Sequence, residues 1–248
     1  RLLCRVRRGV IHLSFASLTL AIRREGQRLF WREDHVEVCL ESVVSVQKLR
    51  EFLYSFVSRG LAKEPDETFC AVASSFELLW AFEEFFNDDR ANKACGVLSS
   101  MVDRPDAIEV LRLQFTRTLI GPDKLPASPW ESSFDTKEHL VFQKTTLDVR
   151  GFFRSEGYVS AGYPHEPDDH IATELSFMAV LAGKTRAAFD AENTVEGERL
   201  LRKQSRFIKD HLLRWIGLYA AGLEASSEGT EFYAQLVRLA DWVVVRRG

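Results

Sequence analysis

The sequence predicts an all-α fold, a single helical bundle, and three observations carry that prediction. From Val46 onward, apolar residues recur at spacings of three and four, the repeat of a helix with one buried face. The strict alternation of a half-buried strand is hard to find over the same stretch. With 248 residues, of which 46% are hydrophobic, the chain can bury a large core. These features are typical of helices packed around a shared interior.

The first three predicted helices follow Val46. Their apolar stripes are Val46, Leu49, Leu53, Phe56 and Val57; Phe69, Val72, Phe76, Leu79 and Phe86; and Ile108, Leu111, Phe115 and Leu119. We assign the row Phe82, Phe85 and Phe86 to the core. Pro105 and Asp106 precede the third helix, and Gly121 and Pro122 follow it, which is the expected order of start and stop signals.

Four more helices are predicted near 137–155, 169–190, 195–220 and 229–246. The second carries the stripe Ile171, Leu175, Met178, Ala179 and Ala182; the third carries Leu200, Gln204, Phe207, Ile208, His211 and Trp215; the fourth carries Phe232, Leu236, Leu239 and Val243. We expect His211 to be a core histidine with a satisfied hydrogen bond.

Two connectors, 121–135 and 157–167, interrupt the helical pattern. The first holds three of the seven prolines and Trp130, and a loop of that length in a compact domain is typically functional. The second precedes the helix at 169–190. We predict a hinge near 157–168 that joins an N-terminal and a C-terminal lobe.

Residues 1–42 are predicted to be an N-terminal extension to a helical domain at 43–246. Arg7 and Arg8 precede an apolar stretch, as in a twin-arginine export signal, but polar residues interrupt that stretch and Arg23 and Arg24 follow it. An equally good interpretation is a translated upstream segment, with the true start near residues 36 to 46.

Charge and cysteine content narrow the function classes. The first 38 residues hold 8 Lys and Arg against 4 Asp and Glu, which leaves 25 against 32, or −7, in the remainder. An acidic body disfavours nucleic acid and attracts cationic peptides. The cysteines contain no CxxC pair, which favours reduced thiols in the cytoplasm over a zinc knuckle or a disulfide framework. No run of eighteen apolar residues predicts a transmembrane helix.

The start of the helix at 169–190 concentrates polar side chains. Asp168 and Asp169 follow Pro167 and are predicted to cap the helix, which would hold Asp168, Asp169, His170 and Glu174 at an exposed mouth. His165, Asp169, His170 and Glu174 would also suit a divalent ion, since His170 and Glu174 are four residues apart. We favour capping over a metal-dependent hydrolase, because short acidic residues are commonplace at helix starts. The chain lacks the usual phosphate, nucleophile and zinc motifs, so no cofactor is predicted and the metal-dependent hydrolase is kept only as the alternative.

Trp130 has two interpretations, a plug over the core or one wall of a binding groove. In the second, Trp130 with Leu125, Pro126 and Pro129 lines an apolar groove edged by Glu131, Asp169 and Glu174. Such a groove would bind a peptide with an apolar segment and nearby arginines.

Three segments together resemble one protein family. They are 111–135, which reads LRLQFTRTLIGPDKLPASPWESSFD; 166–178, which reads EPDDHIATELSFM; and 204–215, which reads QSRFIKDHLLRW. In order and spacing, these are similar to motifs of the TorD/DmsD-type redox-enzyme maturation chaperones, which are related to the NarJ group. The resemblance covers the chain from about residue 45 to its end.

The resemblance implies an all-helical cytoplasmic chaperone, not an enzyme. Its partners would be the twin-arginine signal peptide and the apo form of a molybdopterin oxidoreductase, which it binds before export. The chaperone itself would be a monomer or a hinge-exchanged dimer. The family's binding residues map onto Pro129 and Trp130, and onto Asp169 and His170. The family form has one Asp before His, so Asp168 and Asp169 compete for that role. Leu125, Glu131 and Glu174 complete the predicted peptide-binding residues.

Overall fold

A computed structural model describes residues 10–14, 31–32, 35–75, 77–78, 80–81, 89–121, 124–135, 140–226 and 229–245. The predicted core positions Phe76, Leu79, Phe82, Phe85 and Phe86 lie outside these ranges. No helix within the described ranges is long and apolar enough to cross a membrane.

Helices dominate the chain from Leu40 onward, as the apolar stripes predicted. They are α1 (Leu40–Ala62), α2 (Glu67–Ala73), α3 (Asp89–Val102), α4 (Ala107–Phe115), α5 (Lys144–Ser155), α6 (Ile171–Asp190), α7 (Thr194–Phe207), α8 (Leu213–Glu224) and α9 (Glu231–Val245). Short strands precede α1 within the predicted extension: β1 (Val10–Ser14), β2 (Trp31–Arg32) and β3 (His35–Cys39) form an antiparallel sheet in the order β1-β3-β2. The all-α prediction is confirmed for the helical domain.

The core is built around α6, which packs along α1 on one side and beside α7 on another. Leu175, Met178 and Leu181 of α6 are 0% exposed, and Leu53 of α1 is likewise 0% exposed. Each such side chain contributes roughly 1.5–3 kcal/mol relative to an exposed position. Because α1 and α6 share this interior, the helices before and after 157–168 form one bundle, and the hinge there stays a prediction.

The predicted helix at 195–220 consists of two helices that continue into each other through one wider turn. The π-helical turn Ile208–Leu212 joins α7 to α8. Such turns insert one residue into the helical repeat and are frequent at functional sites. Here, His211 within the turn and Trp215 one turn later are 4% and 1% exposed, as expected for core positions.

Candidate functional site at the junction of the Trp130 loop and helix α6

The 124–135 loop is joined to the start of α6 by a short antiparallel bridge between Trp130 and His170. The amide of Glu131 donates to the carbonyl of Asp169 at 3.0 Å, and the amide of Ile171 donates to the carbonyl of Pro129 at 2.9 Å. The rings of Trp130 and His170 meet edge to face, with centroids 5.3 Å apart. The loop is therefore held in register against the helix start. We refer to this region as the junction.

The buried side chain of Asp169 adds a further hydrogen bond to the junction. Its Oδ2 atom accepts a hydrogen bond from the amide of Ser132 at 2.7 Å, and both residues are 0% exposed. Asp168 points elsewhere: its carboxylate pairs with Arg150 Nε at 2.6 Å and accepts from the Ser160 hydroxyl at 2.8 Å. Of the two competing aspartates, Asp169 is the one that contacts the Trp130 loop.

The prediction that Asp168 and Asp169 cap α6 is wrong. The N-cap is His170, whose Nδ1 atom accepts from the amide of Ala172 at 3.2 Å, and the helix begins at Ile171. Both aspartates are unavailable because their carboxylates bind other segments of the chain. The cap requires an unprotonated Nδ1, so His170 is neutral and carries its ring proton on Nε2.

The predicted exposed mouth is also wrong for its acids. Asp168 is 2% exposed, and Asp169 and Glu174 are 0% exposed. The loop binds Asp169, and Asp168 binds Arg150 and Ser160. Helical periodicity does not report contacts such as that of Asp169 with Ser132, 37 residues away. Among the other predicted peptide-binding residues, Pro129 and Glu131 are buried, while Leu125, Trp130 and His170 keep part of their surface exposed.

A cluster of carboxyl groups lies beneath the junction. Glu131 Oε2 lies 2.9 Å from His211 Nδ1 in a buried pair. Glu174 faces Glu131 and Asp169, and neither of its oxygens has a standard hydrogen-bond donor among the described residues. Burial, reinforced by the charges of Glu131 and Asp169, raises the pKa of Glu174 well above its usual 4.5, and the Trp215 indole opposes this only weakly. In its protonated form, Glu174 offers a donor towards Glu131.

The pKa of Glu131 is raised as well, mainly by burial, although the neighbouring His211 opposes the shift. Glu131 thus lies between His211 of the π-helical turn and Glu174 of α6. This arrangement links the loop, α6 and the π-helical turn through a single side chain.

His170 predicts a specific pH dependence of stability. Burial lowers its pKa to about 4, against 6.5 for an ordinary histidine, so the unfolded chain takes up a proton at a pH where the fold does not. The contribution of neutral His170 to the free energy of unfolding is fully present above pH 6.5 and is lost as the pH falls towards 4. After allowance for the partial exposure of the side chain, this loss is about 2 kcal/mol. His170→Asn keeps an N-cap acceptor but does not titrate. We therefore expect the free energy of unfolding in urea to fall less between pH 7 and pH 5 in this variant than in the unmodified chain. An unchanged difference between the two pH values would exclude His170 as its source.

The residues of the metal hypothesis do not assemble a metal site. His165 is exposed in the 157–167 connector, Asp169 binds the loop and His170 caps α6. Across the described ranges, no group of three or more His, Cys, Asp or Glu side chains is placed to hold an ion.

Sequence reasoning missed Ser132, His211 and Arg214 as members of the site. The signal for His211 was present, since it lies within the third motif segment one turn before Trp215. Helical spacing assigned it correctly to the core. What spacing does not report is its partner, because Glu131 is 80 residues away in the chain.

Comparisons with known proteins give a matching family model and several similar relatives. The family model described as nitrate reductase delta subunit matches residues 87–221. The chaperone protein TorD of Photobacterium profundum is 29% identical over 144 residues, 58% of this chain and 65% of the relative. TorD of Vibrio cholerae (strain M66-2) is 30% identical over 185 residues, 73% of this chain and 82% of the relative.

The Tat proofreading chaperone DmsD of Salmonella typhimurium is 35% identical over 78 residues, 32% of this chain and 38% of the relative. The matches to the Photobacterium and Salmonella proteins thus span less than two thirds of the relatives' own length. All three relatives are chaperones by name.

Proposed function

Because the chain belongs to the nitrate reductase delta subunit family, and within it to the TorD/DmsD-type redox-enzyme maturation chaperones, we propose that it binds a twin-arginine signal peptide. The client is the apo form of a molybdopterin oxidoreductase of the DMSO-reductase type. The chaperone acts in the cytoplasm and delays export until the cofactor has been inserted into the client. It contributes binding, with no cofactor or catalytic residue of its own.

The observation that carries this proposal is the meeting of three motif segments at the junction. Trp130 and Glu131 come from 111–135, Asp169 and His170 from 166–178, and His211 from 204–215. Packing of the core alone does not need a polar loop held this closely to a helix start. A rigid, partly exposed aromatic site is what a peptide-binding surface needs.

We assign different roles to the exposed and buried residues of the junction. Leu125, Trp130 and His170 contact the peptide, since each keeps part of its surface accessible. The buried Pro129, Asp168, Asp169 and Glu174 hold these contacts in place; Glu131 is treated separately below. Burial of two or three large peptide side chains at ~1.5–3 kcal/mol each, less the ordering of a flexible peptide, gives micromolar affinity.

The test is calorimetric titration of a twin-arginine signal peptide, called the leader below, into the intact chain. Trp130→Ala is expected to weaken binding about 30-fold, because an aromatic anchor at the centre of a small interface costs roughly 2 kcal/mol when truncated. Trp80→Ala is the matched control, since Trp80 is 49% exposed and lies outside the junction. Absence of saturable binding to the unmodified chain, or equal affinities for both variants, would refute the proposed function.

The oligomeric form is either a monomer or a dimer that exchanges its lobes at 157–168. Sedimentation of the purified chain over a range of concentrations distinguishes these alternatives.

A further inference from the structure

Arg214 on the outer face of α8 holds its partners unusually loosely. Its Nη2 atom lies 3.4 Å from Asp135 Oδ1, and its Nη1 atom lies 3.9 Å from Glu131 Oε1. By contrast, Arg199 pairs with Glu156 at 2.7 and 2.9 Å, within the range of charge-assisted hydrogen bonds. The Arg214 side chain is also 56% exposed. Its remaining contact is equally long, since Nη1 donates to the carbonyl of Asp210 at 3.5 Å. Arg214 therefore covers the two carboxylates through long contacts only.

The two carboxylates do not depend on Arg214 for their positions. Glu131 is held through Oε2 by His211, and Asp135 is held through Oδ2 by the hydroxyl of Thr145 on α5. The second oxygen of Glu131, Oε1, is buried and has no standard hydrogen-bond donor among the described residues. Glu131 Oε1 and Asp135 Oδ1 thus both face Arg214, since Glu131 begins the short helical turn Glu131–Phe134 and Asp135 follows it directly.

We propose that Glu131 and Asp135 form a guanidinium-binding site that Arg214 covers in the leader-free chain, and that an arginine of the bound leader displaces Arg214. This inference rests on the proposed function and adds a competing residue to it. A guanidinium presents a planar fork of donors that suits two fixed carboxylates, whereas an ammonium presents a compact point charge. Arg214 thus competes with the leader by filling the site when no leader is bound, whereas the two fixed carboxylates set the advantage of arginine over lysine.

The site itself is tested with short probes that lack an apolar segment. Acetyl-Arg-Arg-amide and acetyl-Lys-Lys-amide are titrated into the intact chain and into Arg214→Ala, with the indole N–H resonances of Trp130 and Trp215 as the readout. We expect saturable shifts with the arginine probe that are stronger in Arg214→Ala, and weaker shifts with the lysine probe. Equal responses to the two probes in Arg214→Ala, or no response, would overturn the inference.

The competition is tested with the full leader. Arg214→Ala is expected to bind an Arg-Arg leader about two- to fivefold more tightly than the unmodified chain, with a smaller gain for the Lys-Lys leader. Arg202→Ala is the control, because Arg202 lies on α7, pairs with Glu198 at 3.2 Å and carries the same charge. An unchanged or weakened affinity in Arg214→Ala would contradict the competing role of Arg214.

The two failures are distinguishable. If the leader does not bind the unmodified chain, the proposed function fails, whereas the dipeptide titration still reports on the guanidinium site. If the leader binds but Arg214→Ala and Arg202→Ala behave alike, the proposed function stands and this inference fails.

Discussion

Replacing Asp169 with alanine is expected to destabilise the fold by about 1–3 kcal/mol and to weaken leader binding about tenfold. The variant removes the acceptor for the Ser132 amide, and a buried donor without an acceptor costs this much. The loop then keeps only its main-chain bonds to the start of α6, so Trp130 is held less firmly. Urea unfolding measures the first effect and calorimetry measures the second.

Two further variants separate the causes. Asp169→Asn keeps an acceptor oxygen for the Ser132 amide, so we expect near-normal stability. Asp168→Ala breaks the 2.6 Å pair with Arg150, which is destabilising, yet it leaves the contacts of the Trp130 loop with α6 intact. Leader affinity should fall in Asp169→Ala and remain unchanged in Asp168→Ala. Equal losses of affinity in both variants would show that general destabilisation explains the effect.

Replacing Glu174 with glutamine is expected to stabilise the chain at alkaline pH. The pKa of Glu174 is raised in the fold, chiefly by burial, so folding retains a proton that the unfolded chain releases above pH 4.5. The protonated carboxyl group therefore adds to the free energy of unfolding at low pH, and this contribution is lost as the pH rises towards the raised pKa. Glutamine has similar size, donates to Glu131 and does not titrate in this range.

We expect the two chains to have equal stability near pH 4 and Glu174→Gln to be more stable by about 1–3 kcal/mol at pH 8. Urea unfolding at pH 4, 6 and 8 measures this difference. Glu109→Gln, at an exposed position of α4, should show no comparable pH-dependent gain. A constant difference between Glu174→Gln and the unmodified chain at all three pH values would exclude the buried carboxyl group as its source.

The helices were predictable because each presents an apolar face at a fixed spacing, which is a local property of the sequence. The stripe from Val46 to Val57 predicted α1, and the stripe from Ile171 to Ala182 predicted α6. The start of α4 was predictable from another local signal, the residues Pro105 and Asp106, since α4 begins directly after Asp106.

The polar contacts of the site were not predictable in this way, since they join distant segments. Asp169 fits every local rule for a helix cap, yet its carboxylate binds Ser132, and His170 takes the cap instead. A preference for capping is worth about 1 kcal/mol, which a buried long-range hydrogen bond can offset. The three motif segments meet in the fold, but only the fold revealed which of their side chains contact each other.

Amide hydrogen exchange of the intact chain, with and without a saturating twin-arginine leader, tests the central claim most directly. The claim is that the leader binds at the junction of the Trp130 loop and α6. It predicts slower exchange at 124–134 and at 168–174, with no change at 194–207 on α7. Binding that leaves exchange at both junction segments unchanged, or protects another face instead, would contradict the claim.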